Sequence, residues 1–210
     1  VGRGVVVEEV LRAVDLEPET SNGYELGLRW ETGGARIAAS GYYTDYRDFI
    51  ESKVNLGTDP ATGVTLFQSQ NIDEARIYGA ELSASVRPGE WVAALEGVSA
   101  RLSAAWARGE DRVRDQPLNS VDPASAVLSL GYEAPAGRWG GEVVTTWVAD
   151  KNAVDDSRVD LYRTDGYVTA DLLAYYDFGG GLSLNLGLFN LADADYIEWS
   201  DVRGRLAGDP

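Results

Sequence analysis

Two runs of strictly alternating residues, joined by a glycine turn, constrain this chain more than any other feature. Apolar side chains occupy positions 168, 170, 172, 174, 176 and 178, and again 182, 184, 186 and 188. A period of two is typical of a β-strand with unlike faces, and Gly179, Gly180 and Gly181 suit a tight turn. Each run is about ten residues long, the length of a tilted membrane-crossing strand. The pattern predicts a hairpin with one face suited to lipid and the other to water.

The same pattern recurs along the chain and predicts about eight strands. They are expected near Tyr24–Trp30, Arg36–Ile50, Glu74–Val86, Val98–Ala107, Ala124–Tyr132, Trp139–Val148, 167–178 and Leu182–Leu188. Short connections near 31–34, 87–95, 133–138 and 178–181 alternate with long polar ones near 51–70, 109–121, 149–165 and 192–210. Such alternation is typical of an antiparallel transmembrane β-barrel meander, which has short turns at one end and long loops at the other.

Composition excludes several function classes. The 210 residues include no Cys, Met or His, which removes disulfides, thiolate or imidazole metal sites and any His-dependent nucleophile. The net charge of −16 argues against nucleic acid as a partner. Nothing singles out a catalytic pair of carboxylates or a cofactor site, so we expect neither an enzyme nor a bound cofactor or metal. The missing initiator Met suggests a processed chain or part of a longer one.

Several segments, in order and with similar spacing, resemble TonB-dependent outer-membrane receptors of the haem and siderophore branch. The segments are 16–21 (LEPETS), 24–29 (YELGLR), 42–50 (YYTDYRDFI), Asn71 with 75–82 (ARIYGAEL), 117–123 (PLNSVDP) and 190–196 (NLADADY). The resemblance implies a barrel of about 22 strands with an N-terminal plug domain inside it. It also implies active import of an iron chelate, such as a siderophore or haem, or of a similar nutrient, energised by the TonB complex.

On this resemblance, residues 1–210 are the C-terminal part of such a barrel, without the plug domain or the TonB box. The resemblance also implies a location in the outer membrane of a Gram-negative bacterium, with membrane lipid, the TonB complex (reached through the plug) and a small ligand as partners. Haem receptors of this family carry a loop His before an NPDL-like box. Here 13–16 (AVDL) stands at that box and no His occurs anywhere, so this segment alone does not support haem as the substrate.

The alternation assigns candidate functional residues to two places. Six charged residues are expected to face the barrel lumen, where they would contact the plug or line the substrate path: Glu25, Arg29, Glu81, Arg101, Asp171 and Asp177. Four loop aromatics could stack on a ligand: Phe67, Tyr162, Tyr196 and Trp199. A simpler interpretation exists for both sets, since any lumen needs a solvated polar face and aromatic residues anchor membrane interfaces.

Two other architectures also fit the periodicity. Eight strands can close a small passive or structural barrel by themselves. A secreted β-sandwich binding module buries one face of each sheet in the same alternating pattern. Strand length, aromatic residues near strand ends and the placement of the long loops favour the larger membrane barrel.

Overall fold

The computed structural model describes residues 8–11 and 15–208, which form ten β-strands and one short α-helix. They are β1 (Glu8–Val10), β2 (Thr20–Thr32), β3 (Ala35–Thr58), β4 (Thr65–Val86), β5 (Val98–Asp111), β6 (Gln116–Pro117), β7 (Ser125–Glu133), β8 (Trp139–Val148), β9 (Tyr167–Gly179), β10 (Leu182–Leu188) and α1 (Trp199–Val202). Two 3-10 turns, Pro88–Glu90 and Ala93–Leu95, lie between β4 and β5. No helix in the described ranges is long and apolar enough to span a membrane.

Eight of the strands form a continuous antiparallel meander in the order β10-β9-β8-β7-β5-β4-β3-β2. β6 adds two residues to one end of β5, and β1 pairs in parallel with the start of β4. The predicted all-β antiparallel meander is therefore confirmed. Within the described residues, β2 and β10 each have one edge that pairs with no other strand.

One face of the sheet, the apolar face, carries aligned apolar side chains from one edge to the other. A single row of the register runs through Leu28, Ala39, Leu82, Ala104, Ala126, Trp147 and Val168. Leucines of this face are widely exposed, with Leu26 at 77% and Leu130 at 53%. A continuous apolar surface of this extent is unfavourable in water, whereas lipid acyl chains accept it.

Aromatic side chains lie near both ends of the apolar face. Those towards the long loops are Tyr24, Tyr43, Tyr78, Trp106 and Trp147, and those towards the short turns are Trp30, Tyr132, Trp139 and Tyr176. Trp139 and Trp147 lie near the two ends of β8. They are eight residues apart, a distance of about 26 Å along an extended strand. A strand tilt of about 40° reduces that span to roughly 20 Å, close to the height of the apolar band of an outer-membrane barrel.

The opposite face, the polar face, contains close pairs of tyrosine and glycine. Tyr42 lies opposite Gly79, and Tyr175 lies opposite Gly140, each in direct register on a neighbouring strand. A Cβ on Gly79 would come within 2.6 Å of the Tyr42 hydroxyl, and one on Gly140 within 2.7 Å of the Tyr175 ring. Each tyrosine side chain therefore packs directly against the backbone of the glycine opposite it, where any larger residue would collide with it. Such pairs help to fix the strand register.

The largest difference from the sequence-based expectation concerns the connection predicted near 51–70. β3 and β4 continue through it as a long hairpin whose turn is only 59–64. Regular alternation is lost because β3 has register shifts between Glu51 and Val54, and because Asp48 and Lys53 have positive φ. β1, at residues 8–10, precedes the first strand expected from the sequence.

Candidate polar face and ligand-binding loops

The six predicted lumen residues all lie on the polar face but do not form one cluster. They are spread over β2 (Glu25, Arg29), β4 (Glu81), β5 (Arg101) and β9 (Asp171, Asp177). Arg101 pairs with Glu142 of β8, and Arg29 lies 3.7 Å from Glu31. The face thus carries separate ion pairs rather than a single charged centre.

The two aspartates of β9 bond to nearby backbone. Asp177 Oδ1 accepts the Gly179 N–H at 2.7 Å, which supports the hairpin turn to β10. Asp171 Oδ1 accepts the Asn190 N–H at 2.8 Å, which holds the chain where it leaves β10. A contact with the plug or a substrate stays a prediction for both residues.

A groove of about 940 Å³ lies on the polar face near the short turns. Acidic side chains outnumber basic ones along it, with Glu90, Glu96, Glu133 and Glu142 against Arg87 and Arg101. Because acidic groups predominate, a basic partner fits this groove better than an acidic one.

At the opposite end of the sheet, the long connections pack together into what we call the loop layer. It comprises residues 48–75 of the β3–β4 hairpin, the connections 112–124 and 149–166, and the segment 189–206. Its two buried apolar clusters are Phe49, Ile72, Ala75 and Leu118, and Val154, Leu161, Trp199 and Val202. Packing in the described residues therefore concentrates outside the sheet that would cross the membrane.

The four predicted loop aromatics differ in accessibility. Phe67 and Trp199 are 4% and 3% exposed, and the Trp199 indole N–H donates to the Asn119 carbonyl at 2.9 Å. Tyr162 is half-buried against the second apolar cluster. Tyr196 is 45% exposed and stacks on Tyr167 with ring centroids 4.2 Å apart. Of the four, Tyr196 has the most free surface for a ligand, and the ligand contact itself stays a prediction.

A buried polar cluster, which the sequence did not indicate, joins four segments of the loop layer. Glu51 and Lys151, both 6% exposed, meet Ser120 and Arg203 there. The Ser120 hydroxyl donates to Glu51 Oε2 at 2.9 Å, and Lys151 Nζ donates to the Val121 carbonyl at 2.6 Å. Glu51 Oε1 and Arg203 Nε are buried without a hydrogen-bond partner in the described structure.

Burial controls the ionisation of this cluster. It raises the pKa of the Glu51 carboxyl, because desolvation outweighs the hydrogen bond from Ser120 and the attraction of Arg203 and Lys151. It lowers the pKa of the Lys151 ammonium to about 8, because desolvation outweighs the attraction of Asp122 and Glu51. Both groups are thus shifted towards their neutral forms.

A small cavity of about 50 Å³ lies beside Glu51 and Leu118. Its volume and polar lining suit ordered water, which needs more than roughly 10–15 Å³ and several polar partners. Among the described residues there is no group of three or more His, Cys, Asp or Glu side chains that could hold a metal ion.

Three asparagines from the segments that carry the resemblance connect loops to one another. The Asn71 amide bonds to the backbone of Glu17 and Asp48, and the Asn190 amide closes a turn onto Ala194. Asn119 exchanges two hydrogen bonds with the Asp155 backbone. The sequence showed these positions as motif residues, and their structural role is to hold the loop layer together.

Comparison with known proteins agrees with this architecture. Residues 9–191 match the family described as "TonB dependent receptor-like, beta-barrel". The chain is 26% identical to probable hemoglobin and hemoglobin-haptoglobin-binding protein 4 of Haemophilus influenzae, over 92% of this chain and 21% of that protein. It is 28% identical to hemoglobin-haptoglobin utilization protein B of Neisseria meningitidis, over 90% of this chain and 26% of that protein.

Solved structures show the same fold. The copper transporter OprC aligns with a TM-score of 0.73 and 26% identity, over 88% of this chain and 27% of that chain. The ferric yersiniabactin uptake receptor FyuA of Yersinia pestis aligns with a TM-score of 0.62 and 20% identity, over 85% of this chain and 26% of that chain.

The chain spans about a quarter of the length of these relatives. Its apolar face, meander and long-loop layer match an outer-membrane barrel wall, and the described strands form one sheet rather than a two-sheet sandwich. The predicted family and outer-membrane location are therefore confirmed, and the chain belongs to the TonB-dependent receptor-like β-barrel family.

Proposed function

We propose that this chain is the C-terminal part of the barrel of an active import receptor for an iron chelate. The observation that carries the proposal is the family match over residues 9–191, on a meander whose long, packed loops all lie at one end. In this proposal the loop layer faces the exterior and takes part in capture. The polar face borders the plug and the substrate path, and the TonB complex supplies the energy. The protein is a transporter and not an enzyme.

For the substrate, the proposal favours haem delivered by haemoglobin, since the relatives carry names for hemoglobin and hemoglobin-haptoglobin binding. The absence of His affects only ligation of haem iron, for which the 11 tyrosines are the remaining candidates in this chain. Docking of a carrier protein needs surface complementarity and no iron ligand. The loop layer offers exposed groups for it, including Tyr196.

A ferric siderophore is the second candidate, because receptors of such chelates share the fold. Copper is a weaker candidate despite the likeness to the copper transporter. Copper sites favour Cys, Met and His, and this chain contains none of them, so such ligands would have to come from elsewhere in the protein.

Growth of an iron-starved Gram-negative host that lacks its own iron receptors would test the proposal. The intact receptor should support growth on haemoglobin, free haem or a ferric siderophore, and deletion of TonB should abolish that growth. Growth on haem but not on haemoglobin would place carrier recognition elsewhere. Equal growth with and without TonB would contradict active import.

The site within this chain is tested by replacing residues 59–64, the tip of the β3–β4 hairpin, with a Gly-Ser turn of equal length. This tip is largely exposed, so the change leaves both apolar clusters intact. A matched control replaces the exposed short turn 179–181 with Asn-Gly-Gly. If the loop layer captures the carrier, only the first variant should lose haemoglobin binding.

A further inference from the structure

A band of charged side chains lies on the apolar face just beyond its aromatic residues, at the long-loop end of β3, β4 and β5. The arginine band consists of Arg47, Arg76, Arg108 and Arg112 with Asp45, Glu74 and Glu110. In the register Asp45 pairs with Arg76, which pairs with Glu110, and Arg47 pairs with Glu74. Strand alternation puts the six members on β3, β4 and β5 on the face that carries Tyr43, Tyr78 and Trp106. Arg112 directly follows β5 and joins the band through its contacts with Asp45 and Glu74.

Direct contacts confirm that the band adjoins the aromatic residues. The Arg76 guanidinium lies 5.9 Å from the Tyr78 ring centroid, and the Tyr78 hydroxyl donates to Glu110 at 3.3 Å. The Tyr43 hydroxyl donates to Asp45 at 3.0 Å. Interfacial tyrosines sit at the level of lipid headgroups, so the band lies at that level or immediately above it.

The charge of the band is unusual for this chain. The whole chain has 34 acidic and 18 basic residues, whereas the band has four arginines and three acidic residues. Arg76 and Arg108 share Glu110, and Arg112 lies 3.7–3.8 Å from Asp45 and Glu74. Arg47 is exposed and makes no ion pair with any described residue, and the side chains of Arg108 and Arg112 are 59% and 46% exposed. Three arginines therefore have donors available to a further anion.

The band is local. Among the described residues, the apolar faces of β7, β8, β9 and β10 carry no Lys or Arg. A uniform attraction to the membrane surface would call for cations around the whole wall. Cations confined to three adjacent strands instead fit one discrete anionic molecule.

We propose that the arginine band binds the phosphate groups of a phosphorylated lipid in the outer leaflet of the membrane. Guanidinium groups bind phosphate oxygens in bidentate fashion and are weakly hydrated, which suits a partly dry interface. A lipid is the occupant because the band continues directly into the apolar face. One register row of the apolar face runs through Leu26, Gly41, Ala80 and Trp106. Because Gly41 and Ala80 are small, this row has room for an acyl chain beneath the headgroup.

The test measures binding of lipid A to the intact, delipidated receptor in neutral detergent, with dephosphorylated lipid A and inorganic phosphate as the other two probes. Lipid A should bind, dephosphorylated lipid A should bind far more weakly, and inorganic phosphate should not compete at equal concentration. Replacement of both Arg47 and Arg108 by Ala should weaken lipid A binding by about fivefold for each arginine. A cation near a membrane surface contributes about 1 kcal/mol of binding free energy, which corresponds to this factor.

Arg158→Ala is the matched control, because Arg158 is an exposed loop arginine outside the band with no ion pair among the described residues. It should leave lipid A binding unchanged. If the double variant fails to fold, Arg47→Ala alone, which breaks no ion pair, should still show the fivefold loss. Equal binding of phosphorylated and dephosphorylated lipid A, or wild-type affinity in the folded arginine variants, would overturn the proposal.

Discussion

The sheet and the loop layer share strands β3 and β4 but follow different physical rules. In the sheet, the meander strands alternate between the apolar and the polar face, and large apolar side chains such as Leu130 remain exposed on the apolar face. In the loop layer, β3 and β4 bury residues of both faces. Buried polar groups also occur there, such as Glu51 of β3 and Lys151 of the connection 149–166. The solvent around each part accounts for the difference, since lipid replaces an apolar core in the sheet and water surrounds the loops.

Mutations in the two regions should therefore have different effects. A change in the loop layer should open loops and leave the sheet intact, whereas a charge on the apolar face should oppose membrane insertion of the sheet itself.

The largest effect is expected for Trp199→Ala. Trp199 is 3% exposed and packs with Val154, Leu161 and Val202. The substitution also removes the hydrogen bond that its indole N–H donates to the Asn119 carbonyl. Truncation of a buried Trp typically costs about 3–5 kcal/mol. Hydrogen exchange should accelerate in residues 149–166 and 198–206, while the heat-modifiable gel mobility of the barrel stays normal. Loss of that mobility would mean that the two regions do not fold separately.

Next comes Leu130→Arg, a charge in the middle of the apolar face. Leu130 pairs with Val143, which lies halfway between Trp139 and Trp147. We expect a cost of about 2–4 kcal/mol in refolding titrations with lipid vesicles, as for a cation at the bilayer midplane. Ser103→Arg, at a similar depth on the polar face, should cost only about 0.5 kcal/mol. Equal costs would show that the faces have been assigned in reverse.

A smaller, pH-dependent effect is expected at Glu51. Its folded pKa is raised by burial, so the folded state binds more protons than the unfolded one, and this contribution to stability falls as pH rises through the folded pKa. Wild-type loops should therefore be better protected from proteolysis on the acid side of that pKa than above it. Glu51→Gln should remove this dependence and change loop stability by about 1 kcal/mol, the scale of one buried polar group.

Lys151 provides the opposite pH response. Because its pKa is lowered to about 8, the folded state binds fewer protons than the unfolded one, and stability should rise as pH increases from about 8 towards 10.5. Lys151→Met should flatten that rise in a proteolysis profile of residues 149–166. A wild-type profile that is flat above pH 8 would contradict the burial of this ammonium.

The smallest effect is expected for Arg101→Ala. Its ion pair with Glu142 lies on the polar face, and the Arg101 side chain is 59% exposed. Exposed pairs contribute about 0–1 kcal/mol, so refolding in lipid should change little. A loss of several kcal/mol would show that this pair is desolvated in the assembled protein.

The strands are predictable from the sequence where side chains follow a two-residue period. Trp139–Val148 matches β8 at both ends, and the start and end of the β9–β10 hairpin agree within a residue or two, because each strand contacts lipid on one face and a polar space on the other. Tyrosine–glycine pairs such as Tyr42 and Gly79 interrupt the pattern only locally.

The loop layer could not be predicted in the same way. Its contacts join residues far apart in the chain, such as Asn55 with Gly204 and Asn119 with Trp199, and no local pattern encodes them. The β3–β4 extension lacks alternation because β3 has register shifts there, and both of its faces are packed in places. Phe67 and Trp199 were assigned to ligand contact because they are aromatic, and only the fold shows that they are buried.

The segment 189–206, which follows β10, packs against parts of the chain that are synthesised long before it. Trp199, Val202 and Arg203 complete clusters whose other members were synthesised up to about 150 residues earlier, as the Ser52–Arg203 pair shows with its separation of 151. Until this segment has docked, Glu51 lacks the neighbouring charge of Arg203, and the second apolar cluster lacks Trp199 and Val202. The loop layer is therefore complete only once residues 199–203 have docked, and contacts of such long sequence separation form slowly.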